Sequence, residues 1–273
     1  MINNKKIMIK ILIFNDKGSD KRSVQELLNC FKLVYKNKFE IIQINSNYIL
    51  SGNLESNNLL IIGGGYDLGY LECLGEHGCL EIRKFVQSGG FYLGICAGAY
   101  FASNYIEFDL NGELEVKGER FLKLFNGKAI GPLNKFQYVD NDNYSIAARI
   151  LLNDIDLNLY QYLKGGCYFE PFDLNYKQIA CYQHSTKITS LNEDKKIAIL
   201  ECNVEKGIVL LSGVHFEYDA NNLDNKNIFD KLQSNKINLS ILSKDLETNL
   251  NSEQKHSNHE FIKYLLNKTF NIC

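Results

Sequence analysis

Residues 91–103 read FYLGICAGAYFAS, placing Cys96 between Gly94 and Gly98 where an apolar run gives way to small residues. A thiol on a strand-to-helix turn is lifted clear of the sheet, and the first amides of the helix can support a thiolate or a developing oxyanion. Such a turn crowds the backbone around the nucleophile. A glycine two before and two after relieves the crowding, as in the Gly-x-Ser-x-Gly elbow. The alternative is a buried structural cysteine beside two packing glycines. The elbow is the expectation adopted here.

A thiol nucleophile needs a base. Residues 210–219, LLSGVHFEYD, end an apolar run with His215 and Glu217 two apart. On an extended strand, positions i and i+2 share a face, so Glu217 can orient the His215 imidazole and stabilise its charged form. The other histidines offer less. His77 lies among polar loop residues, His184 has no matching acid nearby, and His256 and His259 lie in a polar tail. Cys96, His215 and Glu217 are therefore the expected catalytic set. Oxyanion binding is expected from the Ala97 N–H and from the glycine run Gly63-Gly64-Gly65, with Gly64 and Gly65 the candidates beside the substrate. No Walker or dinucleotide fingerprint accompanies those glycines.

These residues need a sheet with its strand ends on one edge. Ile7–Phe14, Phe39–Ile44, Leu59–Ile62 and Phe91–Ile95 read as short apolar strands. Between the first two, Ser19 or Asp20 caps a helix whose apolar positions are Val24, Leu27, Leu28, Phe31, Val34 and Tyr35. Glu81–Val86 sits in a second helix that ends at Gly89-Gly90, and the residues after Cys96 form a third. Strands alternating with helices predict a mostly parallel sheet covered on both faces, an α/β flavodoxin-like fold. The later half adds a hairpin over Glu107–Gly118 and strands at Ser145–Leu152, Gln178–Gln183, Ile197–Asn203 and Ile208–Gly213. From Asn221 the chain turns polar and helical, with a linker at 251–258 before a short final helix. The expected organisation is a main domain over 1–220 and a C-terminal extension over 221–273.

Composition narrows the function classes. In 273 residues, 45% are hydrophobic and 23% charged, with a formal net charge of −2, which gives no footprint for nucleic acid or an acidic membrane surface. No run approaches the roughly 18 apolar residues of a membrane helix, and the basic, apolar N-terminus reads as a first strand rather than a signal peptide. The eight cysteines are irregularly spaced with no Cys-x-x-Cys pair, so free thiols in a reducing, cytoplasmic compartment are expected. Cys73, His77 and Cys79 lie close together without a second ligand pair, so neither a metal nor another cofactor is expected.

A cysteine on an elbow with a distant His-x-Glu resembles the class I glutamine amidotransferase-like fold. Within it, GGYDLGY at 64–70, GGFYLGICAGAYFAS at 89–103, GERFLKLFNGKAIGP at 118–132, YLKGGCYF at 162–169 and LSGVHFEY at 211–218 occur in the order of the N-terminal domain of eukaryotic biotin–protein ligases. The resemblance covers roughly residues 7–220. It implies that Cys96, His215 and Glu217 occupy triad positions and that Gly64 and Ala97 belong to the oxyanion region. Two places depart from the glutamine-hydrolysing pattern: Tyr100 stands where a glutamine is usual, and His-Phe-Glu replaces His-Pro-Glu. Tyr100 is thus expected to reshape the substrate pocket. The Gly/Arg loop that holds biotinyl-adenylate in the ligases has no counterpart around Arg22, Arg83, Arg120 or Arg149, so this chain alone is not expected to attach biotin. The expected partners are a separate biotin ligase catalytic domain or a small amide substrate. The competing expectations are a non-catalytic docking module and a cysteine peptidase or hydrolase of the same superfamily.

Overall fold

The computed structural model describes residues 9–35, 38–139, 141–183, 196–245 and 259–271. In chain order the elements are β1 (Lys10–Phe14), α1 (Lys21–Val34), β2 (Glu40–Ile44), α2 (Ser46–Leu50), β3 (Leu59–Ile62), α3 (Asp67–Gln87), β4 (Phe91–Ile95) and α4 (Ala97–Ala102). There follow β5 (Ser103–Phe108), β6 (Val116–Glu119), β7 (Phe125–Gly131), β8 (Ile146–Leu152), β9 (Leu157–Leu163), β10 (Tyr168–Pro171) and β11 (Lys177–Tyr182). The last are β12 (Ile197–Val204), β13 (Gly207–Ser212), α5 (Lys226–Asp245) and α6 (His259–Phe270).

The strands run β2-β1-β3-β4-β13-β12-β10-β7-β5-β6, with β11 pairing both β12 and β8, and β9 pairing β8. β2, β1, β3, β4 and β13 are parallel neighbours. β12 then runs antiparallel to β13, opening the second half of the sheet. The parallel part is the expected α/β core: β1 and β3 are almost wholly buried, as strands covered on both faces must be. The expected hairpin forms as β5 and β6, with Phe108 opposite Val116.

One face of the sheet carries α1 and α6, and the other carries α2, α3 and α4. α1 begins at Asp20, whose side chain accepts from the Ser23 N–H, and buries Val24, Leu27, Leu28 and Phe31 as its spacing predicts. α3 extends the expected second helix back to Asp67 and kinks at Gly75, where φ is 57°. The segment expected as a C-terminal extension is packed onto the body. α6 buries Phe261, Ile262, Leu265 and Leu266 completely, in the cluster that contains Ile11, Phe31 and Leu210. Each such side chain stabilises the fold by roughly 1.5–3 kcal/mol. α5 lies against β9, with Ile228 and Leu232 packed on Tyr162 and Tyr218.

Sequence reading did not single out α2, β7, β9 or β10. β7 carries Gly127 and Gly131, and β9 places Asn158 and Gln161 among its apolar residues, so propensity favours neither as a strand. His184, His256, Cys273, the start of the first expected strand and the expected linker at 251–258 lie outside the described residues. Among the described residues no helix is long and apolar enough to cross a membrane.

Candidate active site

Cys96 stands between β4 and α4 with φ 51° and ψ −109°. A positive φ is costly for a residue with a Cβ and persists only where the surroundings enforce it. Here they do. The Cys96 N–H donates to the Ser212 carbonyl at 2.9 Å, and the Cys96 carbonyl accepts from Ala99 and Tyr100 as α4 begins. Gly98 lies so close to β3 that an added Cβ would overlap the Ile62 carbonyl, and a Cβ on Gly94 would come 2.7 Å from the Gly98 oxygen. Both flanking glycines are thus fixed by close backbone approach.

His215 follows β13, the strand beside β4 in the parallel sheet. Its backbone is pinned to the end of β9, the His215 N–H donating to the Tyr162 carbonyl at 2.8 Å. Its ring is buried, with Nδ1 2.7 Å from Glu217 Oε1. That bond leaves Nε2 unclaimed by Glu217, and the nearby Cys96 favours the charged form of the imidazole. The Cys96 Sγ also approaches the Lys164 carbonyl at 3.7 Å. Burial alone would push the His215 pKa down. The Glu217 carboxylate and Cys96 outweigh it and hold the imidazole well above the ordinary histidine value.

Glu217 is held by a residue that sequence reading missed. Ser23 Oγ donates to Glu217 Oε1 at 3.1 Å and accepts the Gly64 N–H at 2.9 Å. The hydroxyl therefore ties the acid to the glycine loop after β3. The available signal was Ser23's position one turn before Leu27 on the buried face of α1, where a polar side chain needs a partner.

The same bond corrects one expectation. The Gly64 amide is committed to Ser23 and is not free to bind an oxyanion. Gly64 instead keeps the loop close to the imidazole: a Cβ there would come 2.7 Å from His215 Cε1. Gly65 and Ala97 line the cavity in front of Cys96, and Ala97, as the first residue of α4, has no intrahelical acceptor for its N–H.

The cavity has a volume of about 560 Å³. Cys96, His215, Gly64, Gly65, Ala97 and Tyr100 all border it, and Glu217 is buried behind it, bonded to His215 Nδ1. Tyr100 is buried, and its hydroxyl donates to the Gly165 carbonyl at 3.2 Å. Around His215, Tyr162 and Tyr218 stack at 4.5 Å, each meeting the imidazole edge-on. Tyr162 also donates to Asp142, which pairs with Arg22 at 2.8 Å and accepts the Asp224 N–H at 2.6 Å. An imidazole bonded to a buried carboxylate thus borders the same open cavity as a thiol. That order of groups suits proton removal from sulfur and proton delivery to a leaving atom.

Comparison with known proteins agrees with this architecture. A solved glutamine amidotransferase structure superimposes with a TM-score of 0.51 at 15% identity, covering 76% of this chain and 90% of that one, a likeness of fold. A protein of Chlamydia muridarum is 32% identical over 217 residues, 77% of this chain and 81% of its own length. The biotin–protein ligase of Schizosaccharomyces pombe is 31% identical over 251 residues, 86% of this chain but 37% of the ligase. The chain thus spans little more than a third of that ligase. The family model described as biotin-protein ligase, N terminal, matches residues 9–270, and the chain belongs to that family.

Proposed function

We propose that this domain is a thiol-dependent acyl-transfer module, with Cys96 as nucleophile, His215 as base and acid, and Glu217 orienting the imidazole. The observation that carries the reading is the buried Cys96–His215–Glu217 series opening onto the cavity at a strained strand-to-helix turn. On an amide, Sγ bonds to the carbonyl carbon while the proton given up by Cys96 is held on His215 Nε2. The Ala97 and Gly65 amides support the oxyanion. The C–N bond then breaks, and the departing nitrogen takes the proton from His215, leaving a thioester. Water attacks the thioester, His215 receives its proton, the C–S bond breaks, and the proton returns to sulfur. The sum is amide plus water giving acid plus amine.

Mass spectrometry after incubation with short-chain activated esters and amides tests this. A modified peptide containing Cys96, lost in Cys96→Ser, supports it. Unmodified Cys96 under conditions that acylate a free small thiol contradicts it.

A second reading follows from family membership. The alignment with a biotin–protein ligase supports a regulatory or docking role toward a separate ligase catalytic domain. Its test is equilibrium binding between this chain and the ligase catalytic domain from the same genome, with and without substitution of Cys96. Binding at micromolar or tighter affinity that survives Cys96→Ser supports a docking role without catalysis.

A further inference from the structure

The reading of Cys96 as a nucleophile leaves open what the cavity accepts. An α-amino acid such as glutamine brings an ammonium and a carboxylate into the site. Recognition then needs charges that are not already paired, because an unpaired buried charge is costly. Apart from the exposed Lys21, the charged side chains around this cavity are engaged within the fold. Asp67 is bonded by Arg120 Nε at 2.6 Å, and both are buried. Arg22 pairs with Asp142 and lies over the Tyr218 ring. The Lys164 ammonium is turned to the carbonyls of Val139 and Asn141. The Asp20 carboxylate caps α1 by accepting from the Ser23 N–H.

The rest of the wall is apolar and aromatic. Tyr100, Phe108, Phe136 and Tyr138 meet edge-to-face in sequence, with centroid separations of 5.6, 5.5 and 4.8 Å. Ile106 and Val116 from the β5–β6 hairpin complete this side. Phe136 and Tyr138 belong to the loop after β7, and Tyr138 is 58% exposed at the rim. Burial, then the charges of Cys96 and Asp67, push the Tyr138 phenol up to about 12, and its side chain borders the cavity beside Phe136. Ring edges and faces of this kind gain most from an apolar or aromatic group laid against them.

Resting on the nucleophile reading, we propose that the site takes a carboxamide or related acyl compound whose body is uncharged and apolar, seated on the Tyr100–Phe108–Phe136–Tyr138 wall, and not an amino acid.

The test is equilibrium binding of two primary amides, 3-phenylpropanamide and L-glutamine, to the full chain carrying Cys96→Ser, read by ligand-observed NMR or calorimetry. The phenyl amide is expected to bind about tenfold or more tightly than glutamine. Tyr138→Ala, at an exposed position that leaves the core intact, should weaken the phenyl amide severalfold and leave glutamine unchanged. Equal or tighter glutamine binding, no binding of either amide, or an unchanged phenyl amide affinity in Tyr138→Ala would overturn the proposal. The nucleophile reading fails separately, through a Cys96 that resists alkylation in the wild-type chain, so the two failures are distinguishable.

Discussion

Ser23→Ala isolates the contact that joins the acid of the site to the glycine loop. Ser23 is fully buried and lies 194 positions from Glu217 in sequence. Removing Oγ takes the acceptor from the Gly64 N–H and one of the two donors from Glu217 Oε1. Glu217 Oε2 has no hydrogen-bond partner among the described residues, so the carboxylate has little to fall back on. A buried polar group left unpaired costs about 1–3 kcal/mol, and a bond to a charged group about 1.5–3. Allowing for relaxation, the variant should lose about 2–4 kcal/mol. At about 2–3 °C per kcal/mol for a chain of this size, Tm should fall by roughly 4–12 °C. Urea unfolding gives the free energy, and scanning calorimetry gives Tm. Ser23 acts on the thiol through Glu217 and through the Gly64 loop beside the imidazole, so its substitution should also change the pH profile of Cys96 alkylation, a readout that general destabilisation does not move. Stability within about 0.5 kcal/mol of wild type, the range of an inconsequential surface change, would refute the reasoning.

Other outcomes follow from the same geometry. His215→Ala should slow Cys96 alkylation more than Glu217→Gln does, because the imidazole acts on sulfur directly and the carboxylate only through the ring; equal rates for His215→Ala and wild type would separate the two residues. With its pKa raised, His215 contributes stability that is complete below about 6.5 and is lost as pH rises through the folded value. Urea titrations across neutral and alkaline pH should show that decline in wild type and less of it in Glu217→Gln. Asp67→Asn leaves Arg120 buried without its anion, and since Arg120 Nη2 already lacks a partner among the described residues, a loss of about 3–5 kcal/mol is expected in urea unfolding. Incubation of the purified chain with ATP, biotin and a biotin-acceptor domain should give no acceptor signal on a streptavidin blot, and labelling above a no-enzyme control would reveal a ligase site.

Local chemistry accounts for what was legible in the sequence. Gly94-Ile95-Cys96-Ala97-Gly98 and His215-Phe216-Glu217 are each short enough for their spacing to constrain geometry, and β4 and β13, which lead into them, are largely apolar runs. The helix under Ser23 was readable from its apolar period, yet the serine's role was not, because its partners come from the far end of the chain and from the loop after β3. The same holds for Tyr162 and Tyr218, whose stacking requires β9 to reach His215. β9 itself was hidden by Asn158 and Gln161. The glycine run was read as a source of oxyanion donors, whereas its middle member spends its amide on Ser23. That choice is made by tertiary packing, which no triplet of glycines encodes.

The central claim is that Cys96 is a nucleophile and not a packing residue. Limited iodoacetamide labelling of the folded chain near pH 8, followed by peptide mapping, tests it most directly. Burial holds Cys73 at about 11 and Cys79 and Cys202 at about 12, so about 0.1% or less of each is thiolate at that pH, the form that reacts. Burial likewise pushes Cys30 and Cys167 well above the ordinary thiol value. The account predicts that Cys96 is modified first and that His215→Ala suppresses its labelling. Labelling led by another cysteine, with Cys96 untouched until the protein unfolds, would contradict it.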